Sequence, residues 1–255
     1  MTARWRIGLL AAALALLLAA NHWRAWWLPA AQVHMEDEPC PDGARIVATD
    51  LAGLCAYRAN NRRLIAAGTR PRLVLFGDSI LGDWEVVQPG LFGQDWINRG
   101  IGGQTSGQLL ARMRQDVIAL QPRTVLIEAG INDVIARGGV IGPDDLLANL
   151  ESLVDLAEAH RIRVIVATLP PVARFPTRPR LPPYPRIEQL NQRIRAMAVR
   201  RGLVLADFHA ALARPDGMGP QADQVRDGVH PSAAGYARLE PVVRQALARA
   251  EESPP

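Results

Sequence analysis

A serine, a histidine and an aspartate stand where they could act together. Ser79 ends the apolar run of "RLVLFGDSI" (72–80), and "RDGVHP" (226–231) supplies Asp227 and His230 near the C-terminus. A serine hydroxyl is a weak nucleophile until a base takes its proton, and the base needs a carboxylate to hold its orientation. An aspartate three residues before a histidine on a turn reaches imidazole Nδ1 and leaves Nε2 for the serine. Attack on an acyl carbonyl develops an oxyanion, which backbone N–H groups and an asparagine amide stabilise. Gly103 in "NRGIGGQTS" (98–106) and Asn132 in "AGIND" (129–133) are of the required types, with Gly102 adjacent as an alternative donor. Taken singly these signals are weak: Asp78-Ser79 suits a helix cap, Asn132-Asp133 a turn, and His230-Pro231 the solvated start of a helix. Their order along the chain carries the reading.

The elements that must position these residues alternate. Leu73–Phe76, Asp95–Asn98, Thr124–Glu128, Arg163–Thr168 and Leu203–Ala206 read as strands. Helical spacing occupies Gly107–Leu120, Pro143–His160, Ile187–Arg201 and Ser232–Ala250. Apolar strands without polar alternation, separated by helices, predict a parallel sheet covered on both faces, a doubly wound α/β domain. Parallel strands end on one edge, so the stretches after the first three strands must converge there, where such sheets bind ligands. The proline-rich stretch 170–185 leaves the fourth strand at that same edge, and reads either as a rigid spacer or as a pocket wall.

Four blocks, GDS (77–79), "IGGQTS" (101–106), GxND (130–133) and DxxH (227–230), resemble those of the SGNH hydrolases, the GDSL-type esterases and lipases, over residues 70 to about 248. The resemblance implies a three-layer flavodoxin-like fold with a five-stranded parallel sheet in the order 2-1-3-4-5, and no metal or cofactor. It implies Ser79 as nucleophile, His230 and Asp227 as its partners, and Ser79, Gly103 and Asn132 as the oxyanion hole. The expected activity is hydrolysis of small acyl esters, acetyl above all, through an acyl-enzyme. A carbohydrate O-deacetylase, a lysophospholipase and a thioesterase are alternatives on the same groups. A flavodoxin-like binding module is the alternative outside enzymes, but "GDSILGD" lacks the glycine pattern of a phosphate loop.

Residues 1–31 stand apart. Arg4 and Arg6 precede the apolar run 7–20, and Trp23, Trp26 and Trp27 follow it. This reads as a signal peptide or an N-terminal anchor in the inner membrane, with an exported, periplasmic or secreted remainder. Three of the 29 basic residues, all arginine, fall in this segment, which holds no acid. The remaining 26 arginines face 25 acids, so the high pI gives no warrant for a nucleic-acid partner. Residues 32–69 form a lead-in carrying Cys40 and Cys55, which an oxidising compartment would join as a disulfide; two buried thiols are the alternative. The expected domain spans 70–250, with a tail at 251–255.

Overall fold

The computed structural model describes residues 50–139 and 141–252, and all of them lie in one compact unit. The membrane or signal segment expected at 1–31, the tail from 253 and Cys40 lie outside the described residues. Among the described residues no helix is long and apolar enough to cross a membrane.

Five parallel strands, β1 (Leu73–Gly77), β2 (Trp96–Gly100), β3 (Thr124–Glu128), β4 (Arg163–Ala167) and β5 (Val204–Ala206), form one sheet in the order β2-β1-β3-β4-β5. This is the three-layer fold and the strand order that the four sequence blocks imply. Alternation along each strand divides the core in two. Val74, Phe76, Val125, Ile127, Val164 and Val166 face one layer, while Leu73, Leu75, Leu126, Ile165 and Ala167 face the other. Helices α3 (Ser106–Asp116), α5 (Pro143–Ala159) and α6 (Arg186–Arg201) supply the first layer with Leu109, Met113, Leu146, Leu150, Leu153, Leu190 and Ile194. The second layer is built by α2 (Ser79–Val87), α7 (Phe208–Leu212) and α8 (Ala233–Glu252), through Leu81, Trp84, Phe208, Tyr236, Leu239, Val243 and Leu247. Trp84 stacks on Tyr236 at 5.2 Å and meets Phe208 edge-on at 6.3 Å, anchoring this layer.

The lead-in contains a helix that periodicity did not signal, α1 (Cys55–Ala66), and polar contacts explain it. Asn61 donates to the Gln115 carbonyl and to Asp116, and accepts from Arg99. The Tyr57 hydroxyl donates to the Gly100 carbonyl at 2.5 Å, and its ring lies under the Arg99 guanidinium. These contacts tie the described part of the lead-in to β2 and α3.

The sheet brings three carboxyl ends to one level. Gly77 of β1 pairs in register with Gly100 of β2 on one side and Glu128 of β3 on the other. Helix α2 leaves β1 and crosses the end of β2 so closely that a Cβ on Gly100 would lie 2.1 Å from the Gly82 backbone nitrogen and 2.7 Å from the Asp78 carbonyl oxygen. Both obstacles are backbone and cannot swing aside. Gly100→Ala should therefore cost about 3 kcal/mol or more in urea unfolding, at the upper end of overpacking penalties. A change below about 0.5 kcal/mol would show that the contact relaxes freely.

Candidate active site

The polypeptide turns out of β1 at Asp78, whose carboxylate caps α2 by accepting the Ile80 N–H at 2.9 Å. Ser79 is thus the first residue of α2, where unpaired N–H groups and the helix dipole favour negative charge. Its own N–H meets no acceptor among the described residues.

His230 reaches Ser79 from a loop 151 residues further along. Its Nε2 stands 2.9 Å from Ser79 Oγ, and its Nδ1 stands 2.7 Å from Asp227 Oδ2. The other Asp227 oxygen accepts the backbone N–H groups of Val229 and His230, both at 2.9 Å. Partial burial would raise the Asp227 pKa, but these backbone donors and the imidazole outweigh it and hold the carboxyl down at about 2. Asp227 is therefore ionised throughout the working range and fixes Nδ1 as the protonated nitrogen. Two contacts hold this loop against the serine helix: Arg226 pairs with Asp83, and the Tyr236 hydroxyl donates to the Ile80 carbonyl at 2.8 Å.

Gly103 follows β2 with φ +83, a conformation that favours glycine, and its N–H meets no acceptor among the described residues. Gly103 lines the cavity at Ser79. Asn132 lines it too, yet its amide is occupied: Nδ2 lies 3.0 Å from both Asp78 Oδ2 and the Gln104 carbonyl. The open donors facing the serine are thus backbone groups, while Asn132 braces the cap of α2. Asp133 is structural, accepting from the Ser106 N–H and hydroxyl and so tying the end of β3 to the start of α3.

Behind Asn132 lies a buried acid pair that sequence reasoning did not single out. Glu128 is fully buried, and its polar neighbours are the backbone N–H and the carboxyl of the equally buried Asp78. Two carboxyls bond to each other only when one carries a proton. Burial, and next the Asp78 charge, push Glu128 well above the usual range, and burial raises Asp78 to about 6, which favours a proton held between the two carboxyls.

A cavity of about 300 Å³ opens at Ser79, Asn132 and His230. Phe175, Pro176 and Thr177 form one side of it, which settles the proline-rich stretch as a wall. Arg137 forms part of another side, and sequence reasoning missed it. In a chain whose every basic residue is arginine, one more arginine in a glycine-rich loop carries no distinguishing signal. Of the other histidines described, His160 caps the end of α5, and His209 packs at the start of α7, with its N–H on Thr168 Oγ1. The arrangement as a whole can remove a proton from Ser79 Oγ and receive negative charge beside it.

Known proteins share the fold of this chain. The family model described as "GDSL-like Lipase/Acylhydrolase family" matches residues 65–238. A GDSL-like lipase from Bacteroides thetaiotaomicron VPI-5482 is 33% identical over 78% of this chain and 98% of its own, with a TM-score of 0.73. A candidate acylhydrolase from Bacteroides fragilis NCTC 9343 is 35% identical over the same shares, also at 0.73. An acetyl xylan esterase from Geobacillus stearothermophilus is 25% identical over 69% of this chain and 94% of its own, at 0.56. No curated protein matches.

The acid pair generates a stability prediction. Carboxyls in the unfolded chain lose their protons near pH 4. Both carboxyls of the folded pair are raised, Asp78 to about 6, so wild-type stability should fall as pH rises from about 5, by about 1.4 kcal/mol per unit for each proton the folded pair still holds. Glu128→Gln keeps an N–H donor towards Asp78 without needing a proton, and should flatten this dependence. Urea unfolding between pH 5 and 9 reads both slopes, and equal slopes would remove the shared proton.

Proposed function

This chain belongs to the GDSL-like lipase/acylhydrolase family and is an ester-cleaving hydrolase; from that premise we propose that it is a serine esterase acting on small acyl esters, acetyl above all. The reading rests on one observation, the hydrogen-bonded line from Asp227 through His230 to Ser79 at the mouth of a small cavity. Ser79 Oγ attacks the acyl carbonyl as His230 Nε2 takes its proton, and the ionised Asp227 stabilises the imidazolium. The oxyanion falls to the N–H groups of Ser79 and Gly103. Asn132 completes the set once its amide turns an N–H away from the Gln104 carbonyl. Collapse returns the proton from His230 to the leaving alcohol, and a water repeats the sequence on the acyl-enzyme.

The likeness to an acetyl xylan esterase supports a second, narrower reading, in which the alcohol is a carbohydrate hydroxyl. We further propose that the enzyme is exported behind residues 1–31, as signal or anchor, and that Cys40 and Cys55 are joined. The composition of the N-terminus supports both.

Ser79→Ala and His230→Ala should each lower kcat on p-nitrophenyl acetate by at least about 10⁴-fold with unfolding still cooperative. Wild-type turnover in Ser79→Ala would refute the mechanism. The cavity is small and proline stiffens its wall, so added methylenes gain little of the ~0.8 kcal/mol of complete burial. On p-nitrophenyl esters kcat/KM should be greatest from acetate to butyrate, and a steady rise to palmitate would point to a lipase-like groove. Non-reducing peptide mapping of protein recovered from the exported compartment should find one Cys40–Cys55 peptide; two thiol peptides would remove the disulfide.

A further inference from the structure

Arg137 lines the cavity at Ser79 and takes no part in the line from Asp227 through His230 to the serine. It follows a four-residue helix, α4 (Ile131–Val134), which ends with the Ala136 N–H on the Asp133 carbonyl at 2.9 Å and the Arg137 N–H on the Asn132 carbonyl at 3.0 Å. That pair of bonds needs a left-handed residue at the turn, and Ala136 takes it at φ +55 where glycine is the usual choice. The turn folds Arg137 back over the oxyanion donors. A Cβ on Gly103 would lie 2.5 Å from Arg137 Nη1 and 3.3 Å from its Cζ. Its guanidinium has neither an ion pair nor a hydrogen bond among the described residues. A strained turn thus holds a cation without a counterion beside the reacting serine.

The charge is not local to Arg137. The cavity shares Ile135 and Thr177 with a larger cleft of about 620 Å³, lined also by Arg178 and Arg180. Neither forms an ion pair among the described residues. The two segments that build this wall, 134–139 and 170–186, hold five arginines and no acid. Several arginines elsewhere on the surface are matched, as in Arg193 with Asp144, Arg201 with Asp155 and Glu158, and Arg72 with Glu251, whereas Arg62 and Arg114 have no ion pair among the described residues. The larger cleft has arginines and no acid in its lining, while Asp227 lines the smaller cavity; a one-signed cleft concentrates ligands of the opposite charge.

We propose that Arg137 binds an anionic group, carboxylate or phosphate, on the alcohol portion of the ester substrate. This rests on the serine-esterase reading, because a small acyl group leaves the alcohol as the part that extends from the cavity along the arginine-lined cleft. A guanidinium recognises either anion through paired N–H donors.

The test compares acetyl esters of three meta-substituted phenols, two anionic and one neutral: 3-acetoxybenzoate, 3-acetoxyphenyl phosphate and the amide 3-acetoxybenzamide. The readout is the ratio of kcat/KM for each anion to that for the amide, in wild type, Arg137→Ala, Arg137→Lys and Arg137→Glu. Wild type should prefer at least one anion by about tenfold at low salt, the size expected of an accessible charge-assisted contact. Which anion leads distinguishes an acidic glycan or carboxylate from a phosphate ester. Alanine should bring the ratio to about one, lysine should keep part of the preference, and glutamate should invert it. No preference in wild type would overturn the proposal. So would an unchanged ratio in Arg137→Ala with kcat lowered equally on all three esters, since Arg137 would then serve the oxyanion directly. Hydrolysis surviving in Ser79→Ala would instead remove the esterase reading beneath it. Thermal melting confirms that each variant folds, as expected for a side chain exposed and unbonded in the structure.

Discussion

Everything at the site depends on how closely α2 crosses the end of β2. Gly82 and Gly100 meet backbone to backbone, and Gly77 sits so close to the end of β3 that a Cβ there would lie 2.4 Å from the Glu128 carbonyl oxygen. Three glycines thus let three chain segments leave the sheet at one level, with Ser79, Gly103 and Asn132 within one small cavity. Any side chain at these positions would move the serine relative to its oxyanion donors. Errors of about 1 Å in such an arrangement are costly, because the donors must meet the position the oxyanion will take.

Beneath that crossing lies polar structure unusual for a core. Arg112 is fully buried, donates to Gln104, Asp116 and the Gly77 carbonyl, and lies over the Phe76 ring at 4.3 Å. It therefore connects the last residue of β1 to the glycine loop after β2. Burial lowers its pKa, and the Asp116 carboxylate opposes the shift. The pair is better seen as fixing geometry than as a source of stability, since desolvation offsets most of the attraction between buried charges. The Glu128–Asp78 pair does the same on the β3 side. Glu128 is pushed well above the usual range by burial, and Asp78 beside it holds both the helix cap and Asn132.

The second layer has a different task. His230 belongs to no strand end of the central three, so its position is set by α8, through Tyr236 on Ile80 and the Trp84–Tyr236 stack. Asp227 is tied to the same loop by two backbone N–H bonds. The nucleophile and its base are thus placed by separate parts of the molecule and meet across a single hydrogen bond.

The sequence by itself determined the order of elements, the parallel sheet and the family. Strand and helix periodicities are local, and short blocks such as GDS and DxxH carry their chemistry in adjacent residues. The placement of Asp227 beside His230 was legible for the same reason, since three residues on a turn fix the reach. The tertiary structure alone decided what depends on distant partners. Helix α1 has little apolar periodicity and is held by Asn61 and Tyr57 bonding to residues some 40 to 55 positions away. Asn132 has the type of an oxyanion donor, but only packing shows its amide engaged by Asp78 and Gln104. Arg137 is one arginine among 29 until a left-handed turn sets it over Gly103. Residue type limits what a side chain can do; the neighbours it meets, which only the fold assembles, decide what it does.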